Sequence, residues 1–197
     1  MGSYSQGMDA PEIDQLESAL DRTEAILAGV RVDQAELPTP CAEYDVARLV
    51  DHLVGWATSF AAKVTGGTFE GDPNDFRAGA DPAREFHTAA QTIVAAYRAG
   101  RPEAEKLPVG MLLMEYVGHG WDLATATGQP VTFTTAEAEP ALKLGQQMLK
   151  PEYRGPGQAF GLEAEAGEAA GSVERLVAFL GRSPGWTPDS TAGPTAP

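Results

Sequence analysis

The chain has 197 residues, 43% hydrophobic but only 8% aromatic, and its 28 acidic side chains against 14 basic ones give a net charge of −14. A field of that sign repels phosphate backbones and excludes nucleic-acid binding through a basic groove. Cys41 is the one cysteine, which excludes an internal disulfide framework and any multi-cysteine zinc site.

An apolar fraction rich in alanine and poor in rings favours closely packed helices over a sandwich, and the length fits one domain. A reducing cytoplasm is the expected compartment. The longest apolar run is too short to span a bilayer, and the amino terminus lacks a basic segment followed by an apolar one, so no membrane association is expected. Residues 1–8 read as a loose leader, 9–182 as a single helical domain, and 183–197 as a Pro- and Gly-rich tail in which only Trp186 has reason to tuck against the body.

In chain order, Asp9, Pro11 and Glu12 read as a helix start, Ile13, Leu16, Leu20, Leu27 and Val30 recur at three-, four- and seven-residue steps, and the helix is expected to end near Gly29. After the loop Leu37-Pro-Thr-Pro-Cys41, Asp45 can cap a second helix with Val46, Leu49, Val50, Leu53, Ala57, Phe60 and Val64 as its apolar stripe, ended by Gly66-Gly67. Residues 68–79 lack periodicity and read as a loop. Asp81-Pro82 opens a third helix, with Phe86, Ala90, Ile93, Val94 and Tyr97 facing the core and Gly100 closing it. A fourth helix runs from Pro108 to Gly128. Thr134 or Thr135 can cap a fifth reaching about Lys150, with Leu142, Leu144, Met148 and Leu149 as its apolar set. The glycine-rich residues 155–171 read as irregular, and Val173, Leu176, Val177 and Leu180 mark a last helix ended by Gly181. Helices throughout and no convincing strand predict an all-α antiparallel bundle of about four long helices with smaller carboxy-terminal additions.

The fourth helix carries the chemistry. Its ionisable groups before its end are Glu115, Tyr116, His119 and Asp122, and Leu112, Leu113, Val117, Trp121, Leu123 and Ala124 fan out around them, as in a helix buried on most sides. At 100° per residue Glu115, His119 and Asp122 fall within about 60° of one another. Burying such groups without partners costs several kcal/mol, and a bound cation is one of the few things that compensates.

Glu115-x-x-x-His119 lets two donors reach one point above the helix, and a third must come from elsewhere. His52 on the second helix is the choice, giving two imidazoles and one carboxylate around a divalent cation, with a position left for water or substrate. His52 lies about 120° from the centre of its helix's main stripe, so that helix must bury a second face, for which Leu49 and Trp56 are available. Asp122 is a fourth ligand, an acceptor orienting an imidazole, or a catalytic proton acceptor. A buried Glu–His hydrogen bond would serve Glu115 and His119 equally well without a metal. His87 reads as a surface residue. Cys41 lies just before a helix whose amides could lower its pKa, the alternative being an inert buried thiol.

Leu37 to Gly55 resembles the amino-terminal signature of the actinobacterial branch of the DinB-like superfamily, the branch that contains mycothiol-dependent maleylpyruvate isomerase. Glu115-Tyr-Val-Gly-His-Gly-Trp-Asp-Leu-Ala-Thr-Ala-Thr-Gly128 resembles its second signature, and Val173 to Trp186 looks like the short ending of an uncharacterised metal-binding subfamily. The resemblance covers about Asp9 to Trp186. It implies a DinB-type four-helix bundle and a metal, usually zinc, at the positions of His52, Glu115 and His119. Many DinB-like proteins use three histidines; Glu115 matches the isomerase-like branch. The isomerase's longer carboxy-terminal domain has no evident counterpart here, so maleylpyruvate does not carry over as substrate. The resemblance implies a metal-dependent enzyme that uses a low-molecular-weight thiol, mycothiol, to add to or isomerise a small electrophile; separately, a monomer or homodimer is expected. The alternative is a non-catalytic metal-binding or stress-response protein.

Overall fold

The structure, a computed structural model, describes residues 10–155 and 160–188. Among these the chain is helical, with α1 Ala10–Ala28, α2 Val46–Val64, α3 Pro82–Arg98, a one-turn α4 Pro102–Glu105, α5 Val109–Thr127, α6 Thr135–Met148 and α7 Ser172–Phe179, and it contains no strand. The all-α class expected from composition is therefore found. The expected leader, the Asp9 helix start and residues 189–197 of the tail lie outside the described residues.

Local chemistry sets the ends. Asp45 accepts the Arg48 amide at 2.8 Å to open α2, and Asp81 accepts the Arg84 amide at 3.1 Å to open α3, where Pro82 sits in the first turn and gives up no needed donor. Thr134 and Glu137 form a capping box at α6, with Glu137 accepting from the Thr134 amide at 2.6 Å and its hydroxyl at 2.9 Å. Gly128 ends α5 in the left-handed region, φ 69°, where a Cβ would be strained.

α1 and α2 each lie between α3 and α5, so the four long helices close a ring around one core. Leu16, Leu20, Leu49, Leu53, Phe86, Ile93, Leu112, Leu113 and Tyr116 fill it, all fully buried. α6 covers α5 from outside, and α7 rests on both. α5 therefore has neighbours on nearly every side, and this is why its sequence is so nearly uncharged. Among the described residues no helix is long and apolar enough to cross a membrane.

Two expectations need correction. The fifth predicted helix, α6, stops at Met148, and its buried face is Glu137, Ala138, Ala141 and Gly145, not the larger set; Met148 is exposed, and Leu142, Leu144 and Leu149 are only half-buried. Close approach explains it, because a Cβ on Gly145 would stand 2.7 Å from the Phe179 ring, so small residues must face inward. The one-turn α4 and the 3₁₀ turns at Val32–Gln34, Pro73–Asp75 and Pro151–Tyr153 went unforeseen, being too short to show a period. Trp186 is half-buried, as expected.

Candidate metal centre

His52 does lie on a second buried face of α2, only 8% exposed, and this face turns toward α5. Its Nε2 stands 2.9 Å from Oε1 of Glu115, although 63 residues separate the two in sequence. His119, one turn further along α5, brings its ring to 4.7 Å from that of His52, near edge-on at 70°. One ligand atom from each of His52, Glu115 and His119 lies within 4.8 Å of the others. The three residues named from sequence are thus brought together.

Asp122, the fourth, sits beneath this trio. Its Oδ2 is 3.0 Å from Nδ1 of His119, which leaves Nε2 as the imidazole's other donor atom. On its far side Arg182 donates to the same carboxylate, from Nη2 at 3.0 Å and from Nε at 3.3 Å to each oxygen, while its Nη1 donates to the Leu180 carbonyl at 2.9 Å. Asp122 is fully buried and Arg182 nearly so. Burial favours the neutral acid, but the charge of Arg182, with the hydrogen bond and charge of His119, outweighs it and holds the Asp122 carboxyl below its ordinary value. Burial also raises Glu115, and the charge of His119, the hydrogen bond with His52 and the more distant charge of Arg182 reverse it, so this carboxyl too is held low. Both acids are placed to stay ionised.

Cys41 comes within 4.8 Å of donor atoms of His119 and Asp122. Burial pushes its thiol up to about 11, against the pull of Arg182 and with the push of Asp122. The backbone of Glu43 lowers it in part, but α2 starts only at Val46, so the amides of that helix do not reach it, and burial prevails. His87 is a half-exposed residue of α3 bonded to Glu24 at 2.8 Å.

Sequence reasoning overlooked two neighbours. Tyr44 covers the site with its ring 4.7 Å from His52 and 5.9 Å from His119. Arg182 follows α7, 60 residues from Asp122. The signal for Tyr44 was its place in the first signature; that for Arg182 was a lone basic residue between an apolar helix and Gly-Pro-rich chain.

The donors fit a divalent cation. Two imidazoles and a carboxylate are the set found at catalytic zinc, with room for an exogenous ligand. The His119–Asp122 pair supplies the carboxylate that commonly fixes the tautomer of a ligating imidazole. Among the described residues His52 is held at Nε2 alone, its buried Nδ1 having no hydrogen-bond partner there.

The fold and this cluster define a class, the all-α proteins whose packed helices converge three metal-competent side chains on one point. The chain belongs to the mycothiol maleylpyruvate isomerase N-terminal domain family, whose description matches residues 16–124, in agreement with the DinB-like resemblance. The match takes in Cys41, Tyr44, His52, Glu115, His119 and Asp122 but stops before Arg182. Two uncharacterised proteins of Mycobacterium tuberculosis, from strains CDC 1551 and H37Rv, are each 31% identical over 177 residues, covering 84% of this chain and 94% of theirs. No solved structure matches the chain at a significant level.

Proposed function

We propose that the protein holds a divalent metal, zinc by preference, on His52, Glu115 and His119, and uses it to activate a low-molecular-weight thiol toward a small electrophile, by S-transfer or isomerisation. The observation that carries this is the convergence of three donors from two helices within 4.8 Å. Mycothiol is the thiol of choice because the family description names it. When bound, the cation supplies Lewis acidity that favours thiolate over thiol at neutral pH.

The protein's own residues do the rest. Glu115 contributes a negative charge that draws in a cation, and His52 and Glu115 are already aligned on each other at 2.9 Å. Asp122 holds the Nδ1 proton of His119, so that the opposite nitrogen carries its lone pair. With Arg182 and His119 both on its carboxylate, Asp122 acts as a positioning residue. Tyr44 and Trp56, whose rings pack near His52, exclude bulk water from that side.

Metal analysis of protein purified without a polyhistidine tag tests the first half. One equivalent of metal, lost in His52→Ala and in Glu115→Ala, is expected; absence of stoichiometric metal would end the reading. Calorimetry of the metal-loaded protein with mycothiol tests the second half. Micromolar-range binding is expected, followed by turnover of one of a panel of epoxides, maleylpyruvate and a chloronitrobenzene. Full metal without thiol binding would leave a non-catalytic metal protein.

A further inference from the structure

Burying an arginine beside a metal-ligating cluster runs against electrostatics, since a guanidinium repels the cation that the cluster draws in. Arg182 nevertheless lies nearly buried, bonded to Asp122, which is bonded in turn to His119. Its charge is felt as far as Glu115. The carbonyl of Leu180 and the carboxylate of Asp122 take its Nη1, Nη2 and Nε, so it is fixed in place by its own turn of chain and by α5.

The balance of charge gives Arg182 a reason. The charged groups at the centre are two carboxylates, half-buried Glu115 and fully buried Asp122, and one buried guanidinium, which leaves one negative charge in excess. Ligating imidazoles are neutral, and Cys41 is not one of the three donors. Glu43 and Arg48 act on Tyr44 at the rim, where Glu43 is exposed and Arg48 is paired with Asp51 at 3.6 Å. A divalent cation therefore turns one excess negative charge into one excess positive charge. A single anion in the remaining position brings the buried site to neutrality. Without the guanidinium, the cation alone would do so, and an anion would then enter a neutral, low-dielectric site at a cost.

We propose that Arg182, carried in by the turn after α7, is the specificity-determining residue that makes the metal-loaded centre select an anionic exogenous ligand over a neutral one. This rests on the metal reading above and adds to it a residue beyond the stretch matched by the family. It also explains why the last helix is part of the centre: α7 packs on α5 and α6 and places this charge.

The test uses the full chain loaded with cobalt(II), whose visible spectrum reports its ligands, titrated with azide and separately with neutral imidazole. Arg182→Met is expected to weaken azide at least tenfold, on the order of one charge-pair interaction at partly buried sites, and to leave imidazole within about twofold. Arg182→Lys should keep most of the azide affinity. Asp122→Asn, which removes a negative charge, should tighten azide. A merely structural Arg182–Asp122 pair predicts the reverse for the last variant, with both ligands weakened in both substitutions. If Arg182→Met does not fold, Asp122→Asn decides alone, and unchanged or weaker azide binding overturns the proposal. Failure of the wild-type chain to bind cobalt defeats the metal reading itself. Cobalt bound in full, with azide affinity indifferent to Arg182, defeats only the assignment made here.

Discussion

Asp122 and Cys41 show how one buried cation can govern two neighbours in different ways. An ionised carboxylate with no exposure costs several kcal/mol unless paired, and Asp122 is paired from two sides, by Arg182 and by His119. Cys41 has no such hold. Burial is the largest influence on its thiol and outweighs the attraction of Arg182, raising it from 9.0 to about 11. The thiolate is the reactive form, so two pKa units lower its fraction at neutral pH about a hundredfold. Iodoacetamide should accordingly alkylate Cys41 in the native chain about a hundredfold more slowly than in the urea-unfolded chain, and Cys41→Ser should keep the full metal content. Equal native and unfolded rates, read by mass spectrometry over time, would show a thiolate stabilised at the site and a function for the thiol after all.

Among the elements, α1 carries an unbalanced face. Glu17, Asp21 and Glu24 follow one another at four- and three-residue steps, and α3 answers with Arg98 on Asp14 and Glu17, and His87 on Glu24. No ion pair among the described residues includes Asp21. Burial, then Glu17 and Glu24, raise its carboxyl above 3.8, with His87 opposing. A folded pKa above the unfolded one means that the charge costs stability at neutral pH and that the cost disappears once pH falls below the unfolded value, near 3.8. Asp21→Asn should therefore raise stability at pH 7 by about 0.2–0.5 kcal/mol, the usual size of such a like-charge pair. The gain should shrink with added salt and vanish in acid, as followed by urea midpoints; a gain that persisted at low pH would have another cause. The same scale explains what the sequence could convey. α2 and α5 were legible together with their donors, because nineteen-residue helices repeat their pattern several times and Asp45 and Gly128 punctuate them. α6 was legible as a helix but not in its orientation, since Ala138, Ala141 and Gly145 bury a face too small to outweigh Leu144 and Met148 in a hydrophobic pattern. Arg182 was beyond reach for a different reason. Its partner Asp122 is 60 residues away, and only the docking of α7 on α5 brings them together.

For the whole molecule, the centre ties the amino-terminal half of the chain to the carboxy-terminal half. His52 arrives on α2, Glu115 and His119 on α5, and the two helices are otherwise held together by a shared apolar core and by α1 and α3 on either flank. A ligand that binds all three donors binds only the folded chain, where they lie within 4.8 Å, so its binding free energy adds to folding stability. At a free zinc concentration a hundred times the dissociation constant the gain is about 2.7 kcal/mol. For a chain of this length each kcal/mol moves the melting temperature by roughly 2–4 °C, so zinc should raise it by about 5–10 °C. A chelator should reverse the shift, and because the site needs both helices, His52→Ala alone should abolish it just as His119→Ala does. The control is Glu24→Gln, which alters an acidic group bonded to His87 on the α1–α3 surface and should leave the zinc response intact. An equal rise in all three variants would place the cation on the acidic surface of a chain with net charge −14, and a melting temperature indifferent to zinc would leave the converging helices without an ion to hold.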